Sequence, residues 1–453
     1  MTRPTASPAE PEENTAATEK LPAVRDGTTQ GILARISEYL SQGRFNEALA
    51  LFDTIDPTEA NTTGMRLLRA SVLSSAGRSA EGRRIAQEVI AAEPGNLEAL
   101  FVLAAVEGSS GKEKEQRSIL EQIIQSDPAH TEALVGLGNI ALRSRSYRTA
   151  GSYFDRALQT ESENMGALLG RALVYRYGHD SKNAELLLNK AVTLYPDAPG
   201  PRNERARLYR DAGYKDKALI DLNIAKDLDS GNYWIAVDRG GVLLDLGRKK
   251  EALEEFRRAI ELEPDNFLAY VYSAGLKDED HDYDGAEQDY QLLAKLKPDY
   301  YFASEGIGMH KMRKHLWGEA KDAFLEAYRH APNESNYALL AAMNWMRAGR
   351  PGDPRQFLEQ VLRKVPRETL EWYMLRLYHD LNGDSDLALK IDREKKPEDK
   401  ARMLYYLANY YDIRGSKSLA DKYFLQVKDL NVKGIPEWRL NEWAIAERGL
   451  AIN

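Results

Sequence analysis

The sequence predicts an all-α chain of about twelve stacked helical hairpins closed by one further helix, and three observations carry that prediction. Apolar and small residues recur at helical spacing; Gly and Pro interrupt them at regular intervals; and the pattern returns every 34 residues without an insertion or deletion over most of the 453-residue chain. A chain of this length is too long for one compact core. Stacked repeats have no such ceiling, because each touches only its neighbours.

The stretch Tyr233 to Asn266 shows one repeat in full. Ala236, Val237, Gly240, Leu243 and Leu244 lie on one helical face, and Gly247 ends that helix. Ala252, Leu253, Phe256, Ala259 and Ile260 resume the pattern in a second helix. Pro264 then stops it, since proline has no amide for a continuing helix and disfavours a helical residue before it. Neither helix can bury its apolar face alone, so copies must stack.

With Tyr233 as position 1, repeats start at Thr29, Thr63, Leu97, Thr131, Met165, Pro199, Tyr233, Phe267, Tyr301, Ser335 and Thr369, and a twelfth starts two residues early at Ala401. Position 8 is small, as in Ala70, Gly138, Ala206, Gly240 and Gly308; position 20 is alanine, as in Ala150, Ala218, Ala252 and Ala320. Position 24 is large, as in Leu120, Phe154, Phe256 and Phe324, and position 32 is proline in Pro94, Pro128, Pro196, Pro264, Pro298, Pro332 and Pro366. Two helices approach closely only where side chains are small, so positions 8 and 20 are where backbones meet and position 24 fills the space beside them. This combination resembles the tetratricopeptide repeat family over about nine tenths of the chain. The resemblance implies a right-handed α-solenoid whose first helices line a concave surface, chiefly through positions 2, 5, 9, 12 and 13.

Residues 1–28 differ in kind. They are rich in Thr, Ala, Pro and Glu, almost lack large apolar residues, and read as a disordered tether. They contain no apolar run of the signal-peptide type, so the chain is either cytoplasmic or has lost a leader. The segment resembles the tethers that follow the lipidated cysteine of bacterial envelope lipoproteins, which implies a lipid anchor preceding residue 1. The first repeat stops early at Asp56 and Pro57; the second and third replace the position-20 alanine by Gly82 and Gln116. Repeats four to nine are regular. In the tenth, Gly349 to Pro354 lengthens the inner turn, shortens the second helix and predicts a bend. The superhelix is expected over 29–434, with a solitary capping helix in 435–453 around Trp438 and Trp443.

A net charge of −8 with 29% charged residues disfavours general nucleic-acid binding, and no apolar run is long enough for a transmembrane segment. The absence of cysteine excludes disulfides, thiolate catalysis and sulfur-bound zinc, and fits an oxidising cell-envelope compartment. Asp278 to Gly285 imitates a calcium loop with Asp280, Asp282 and Asp284. Gln291 stands where its glutamate would be, and Ala286 and Tyr290 are helical repeat positions, so a solvated turn is the better reading. Gly136 with Gly138, and Gly306 with Gly308, fall inside first helices with no strand before them, which makes them packing glycines rather than dinucleotide loops. Histidines are scattered and no HExxH motif exists. No catalytic residue, metal site or cofactor is expected.

The groove positions remain. Repeats four to six present Asn139, Leu142, Arg143, Arg176, Tyr177, Asn203, Arg207 and Arg210, a cationic stretch suited to carboxylates or sulfates unless it pairs with neighbours such as Glu204 and Asp211. Repeats seven to ten present Trp234, Val237, Leu244, Leu268, Val271, Phe302, Met309, Met312, Leu339, Met343 and Met346. That surface could take an amphipathic helix, or the solenoid could cover it itself. The lysine-based carboxylate clamp of chaperone-binding relatives is missing, since no lysine has Asn or Arg four residues on. The leading expectation is a non-enzymatic protein–protein interaction scaffold holding a protein or peptide ligand. Arg176, Arg207 and Arg210 would be its polar anchors, and Trp234, Phe302 and Met309 its apolar ones. The alternative is a surface adhesin holding an anionic glycan or host matrix molecule.

Overall fold

A computed structural model describes residues 28–349 and 354–450. The tether expected in residues 1–28 lies, but for Thr28, outside the described residues, as do residues 350–353 of the expected bend. The described residues form 26 helices and no strand. They belong to two compact bodies, residues 1–196 and 197–453.

The first body pairs α1 (Thr29–Ser41) with α2 (Phe45–Phe52), adds one turn, α3 (Pro57–Ala60), and continues with α4 (Thr63–Ser75) and α5 (Ser79–Ala92). Three more hairpins follow: α6 (Leu97–Ser109) with α7 (Glu113–Ser126), α8 (Thr131–Arg143) with α9 (Tyr147–Thr160), and α10 (Met165–Tyr177) with α11 (Ser181–Leu194). The second body opens with α12 (Pro199–Asp211) and α13 (Lys215–Leu228), α14 (Tyr233–Asp245) and α15 (Lys249–Leu262), and α16 (Phe267–Glu279) and α17 (Tyr283–Leu296). It goes on with α18 (Tyr301–Arg313) and α19 (Trp317–His330), α20 (Ser335–Arg347) and the shortened α21 (Pro354–Leu362), then α22 (Leu370–Asp380) and α23 (Asp384–Asp392). The long α24 (Pro397–Ile413), α25 (Lys417–Leu430) and α26 (Pro436–Glu447) complete it.

The packing follows from the small positions. A Cβ added to Gly240 would stand 2.7 Å from the Phe256 ring, and one on Gly138 or Gly308 would stand 2.6 or 2.8 Å from Phe154 or Phe324. Each pair joins position 8 to position 24 of the same repeat. Position 6 of the next repeat meets that residue from the other side: Gly136 faces Leu120, Gly170 faces Phe154, and Gly306 faces Tyr290. These glycines are packing residues. Ala150, Ala218, Ala252 and Ala320 are all fully buried at their equivalent places.

The turns are equally regular. Asn232 caps α14 by accepting from the amides of Trp234 and Ile235, and Asn96, Asn164 and Asn266 do the same for α6, α10 and α16. Position 15 is left-handed in all twelve repeats from Thr29 onward. Glycine serves at 43, 77, 111, 213, 247, 349, 383 and 415; Arg145, His179, His281 and His315 take the same conformation. Three of the scattered histidines are thus turn residues. Asp282 caps α17 at Gly285 N, 3.1 Å away, and Asp284 pairs with Lys314 at 2.8 Å, so the calcium-like run is a hairpin turn.

The core in the second body grows toward its C-terminal end. One apolar cluster runs from Met309 to Ile445 and joins α18 through α26. Tyr406 at its centre is fully buried; its hydroxyl donates to Glu437 Oε1 at 2.7 Å and stands 3.1 Å from Asn336 O.

Truncating Phe256→Ala is expected to cost roughly 3 to 5 kcal/mol by opening a cavity, and Ala252→Leu roughly 1 to 3 by overpacking, read as shifts in urea midpoint. His179→Gly is expected to raise stability by up to about 1 kcal/mol, since glycine adopts the left-handed turn without strain; an unchanged midpoint would show that the turn relaxes around histidine.

Candidate functional site

In the first body, Asn139, Arg143 and Tyr177 are exposed on first helices. Arg143 pairs with Glu113 at 3.0 Å, Tyr177 stacks on Tyr147 at 5.2 Å, and the Arg176 guanidinium lies over the Tyr177 ring. In the second body, Arg207 Nε lies 2.7 Å from Asp238 and its Nη1 2.6 Å from Glu204, while Arg210 Nε reaches Asp245 at 2.5 Å. Arg210 lies over Gly241, where a Cβ would stand 2.5 Å from its Nη1. Charge pairing therefore spends these arginines inside the fold. Arg207→Glu would put three carboxylates together and act on stability before it acts on any partner.

The apolar half divides as well. Met309, Met312 and Met346 are at most 7% exposed and Met343 is fully buried, as is Leu339; Asn203 is buried too. These methionines are core, which corrects their reading as groove surface. The cause lies downstream: α22 and α24 pack on α20, with Arg347 reaching Asp412 at 2.7 Å. Near Met309 and Met312 the cover is α26, which touches α18 as well as α24 and α25. This closing helix packs on more than the last hairpin. Trp438, Leu440 and Ile445 seat it in the core. Arg439 pairs with Asp278 at 2.9 Å, and Trp443 donates to the Tyr283 hydroxyl at 3.3 Å.

Trp234 and Phe302 stay open at 47% and 46% exposure. Both occupy position 2, with half-buried Leu268 in the same position of the repeat between them. This apolar ledge ends at a cleft of about 380 Å³. Its walls are Val271 and Asp278 of α16, Tyr290 and Leu293 of α17, Tyr300, Phe302, Glu305, Gly306 and Met309 at α18, and the segment from Lys433 to Pro436 with Arg439. Gly306 lets the Tyr290 ring lie flat against α18, and the Tyr290 hydroxyl donates to Asp278 at 3.0 Å. His310 Nε2 is 2.9 Å from Asp278 Oδ1 but out of line for a hydrogen bond. Burial pushes the Asp278 carboxyl up; His310, Arg439 and Tyr290 outweigh it and hold the group below the usual range.

Glu305 behaves oppositely. Burial pushes its carboxyl up to about 7; the Tyr337 hydroxyl, which donates to it, and the charge of Arg439 oppose the rise, and the charges of Glu437 and Glu334 add to it. Glu305 and Asp278 occupy positions 5 and 12, both groove positions in this type of repeat, so their place was readable. Their partners were not: Arg439 is 161 residues from Asp278 in sequence.

The tetratricopeptide repeat family model matches residues 116–164, 135–199 and 237–301, in both bodies and in step with the 34-residue period. The chain is a tetratricopeptide repeat protein. No curated protein matches it. Among solved structures, this repeat protein is similar to a chain in the crystal structure of the APC/C hetero-tetramer Cut9-Hcn1. The two are 16% identical with a TM-score of 0.51, and the match covers 69% of this chain and 62% of that one, less than two thirds of its length. A tetratricopeptide repeat protein from Parabacteroides merdae is 17% identical with a TM-score of 0.43, covering 55% and 98% of the two chains. Pseudomonas aeruginosa pilF is 19% identical with a TM-score of 0.42, covering 46% and 94%. At these identities the first likeness shows the fold alone. Repeats of this kind mark a scaffold for protein interactions, and no helix among the described residues is long and apolar enough to cross a membrane.

The folded repeat protein holds the Glu305 proton more tightly than the unfolded chain does. The group therefore favours folding below pH 4.5, and that contribution is lost as pH rises through about 7. A shift of this size is on the order of 3 kcal/mol. Glu305→Gln is expected to gain a sizeable part of that on the unsubstituted protein between pH 4.5 and 8 in urea unfolding; parallel curves would place Glu305 in water.

Proposed function

We propose that this repeat protein is a non-enzymatic scaffold that captures an extended or helical protein segment along the first-helix face running from Trp234 to Phe302 and into the adjoining cleft. The observation that carries the reading is the ledge. Trp234, Leu268 and Phe302 recur at one repeat position in three successive hairpins, and two of them stay about half exposed where the neighbouring methionines are buried. Rigid aromatic anchors beside an open cleft suit a bound segment, because they present large area at small entropic cost. The anionic-glycan alternative loses its motive in the second body, where Arg207 and Arg210 are already paired with carboxylates. The complete lack of cysteine and the Thr/Pro/Glu-rich first 28 residues favour a place in a cell envelope, reached through a lipid tether, over the cytoplasm.

The test is selection of a random peptide library displayed on phage against the full chain, followed by resynthesis of the selected peptides. The pair Trp234→Ala and Phe302→Ala is expected to weaken them by about tenfold or more while leaving the circular dichroism unchanged, since both side chains are half exposed. Undiminished binding by the double variant would move the site elsewhere.

A further inference from the structure

The cleft at the end of the ledge has a chemistry that the ledge lacks. Two carboxylates line it, Asp278 and Glu305, and a third, Glu437, is fully buried at the start of α26 with no hydrogen-bond donor on Oε2. Arg439 is committed to Asp278. Glu305 is met by the Tyr337 hydroxyl and, among the described residues, by no cation within ion-pairing distance. Lys433 stands exposed at the mouth. Around the carboxylates stand the rings of Tyr290, Tyr300 and Phe302, the last two 5.5 Å apart and tilted by 53°. Burying a carboxyl without a cation is unfavourable, and a fold that tolerates it leaves room for a cation from outside. Aromatic faces attract the same kind of group, because the ring quadrupole is negative on its face.

We propose that this cleft is a cation-recognition subsite, which receives the positively charged side chain of a lysine or arginine carried by the bound segment. The proposal rests on the peptide-capture reading of the ledge. The aliphatic stem of such a side chain would lie against Val271, Met309 and Phe302, and its charged end would meet the Glu305 carboxylate. Glu305 must ionise to do this, so affinity rises with pH through neutrality. The charged and titratable groups facing Glu305 are Tyr300 just before α18, Glu334 and Tyr337 before and on α20, Glu437 and Arg439 on α26, and, across the cleft, Asp278 on α16 and Tyr290 on α17. None of them supplies a second cation, so the incoming side chain has no internal competitor except exposed Lys433.

The experiment uses the peptides selected on the full chain. They are expected to carry lysine or arginine at one recurrent position. Replacing that residue by norleucine is expected to weaken binding about tenfold or more at pH 8 and much less at pH 6. In Glu305→Gln the lysine and norleucine peptides are expected to bind alike, with the pH dependence gone. If Glu305→Gln loses its helical signal, Tyr300→Leu is the second variant; it keeps the wall apolar and is expected to narrow the lysine-to-norleucine ratio. Selected peptides without a recurrent basic residue, or a ratio untouched by either variant, would overturn the subsite and leave the ledge standing. A library that yields no binder would overturn both.

Discussion

The structure depends on one contact repeated along the chain: a large residue at position 24 packed against a small residue of its own first helix, with position 6 of the next hairpin on its other side, glycine at 136, 170 and 306 and the stacked Tyr272 ring against Phe256. Phe154 sits between Gly138 and Gly170 in this way, and Tyr290 lies against Gly306. Such a wedge fixes distance and angle at once, since a Cβ on either side would collide with the ring, and it does so between adjacent hairpins only. Positions 6, 8, 20 and 24 are therefore spoken for. What the first helices can offer a partner is confined to the positions left over, and position 2, at the start of the helix, is one of these.

That division explains which parts of the sequence could be read. Periodicity at 34 residues, the alanines at position 20 and the prolines at position 32 are local statements about neighbours, and local packing turns them directly into hairpins. Even the left-handed turn at position 15 repeats, though only where glycine occupies it does the sequence announce it. Arg145, His179, His281 and His315 adopt the same backbone without a glycine, and their recurrence at one repeat position is the signal that a search for metal ligands passes over.

Long-range contacts were illegible for the same reason. Met343 and Met346 carry the helical spacing of a groove wall, yet α22 and α24 cover them, because repeats ten and eleven have short second helices and the chain beyond them folds onto α20. Likewise α26 reads as a cap from its apolar face alone. Its second face, Arg439 and Trp443, meets residues some 160 positions earlier, and no period connects them. Groove arginines failed in the other direction: Arg207 and Arg210 found carboxylates on the next first helix, a pairing that the 34-residue spacing allows and composition does not reveal.

The carboxyl at position 5 of the ninth repeat brings these two levels together. Its place on the groove side of α18 is set by the repeat, and part of its cover comes from non-repeating chain: the segment before α26 walls the cleft, while Tyr337 reaches across from α20 of the next repeat. Had α26 placed Arg439 on Glu305, the cleft would be a closed salt bridge and part of the core. Asp278, with Tyr290 and His310 already beside it, holds Arg439 instead, and Glu305 is left with a hydroxyl. A cap that neutralises one of two neighbouring carboxylates adds rigidity at the first and keeps an electrostatic deficit at the second, so the same helix that closes the fold leaves its inner wall one positive charge short.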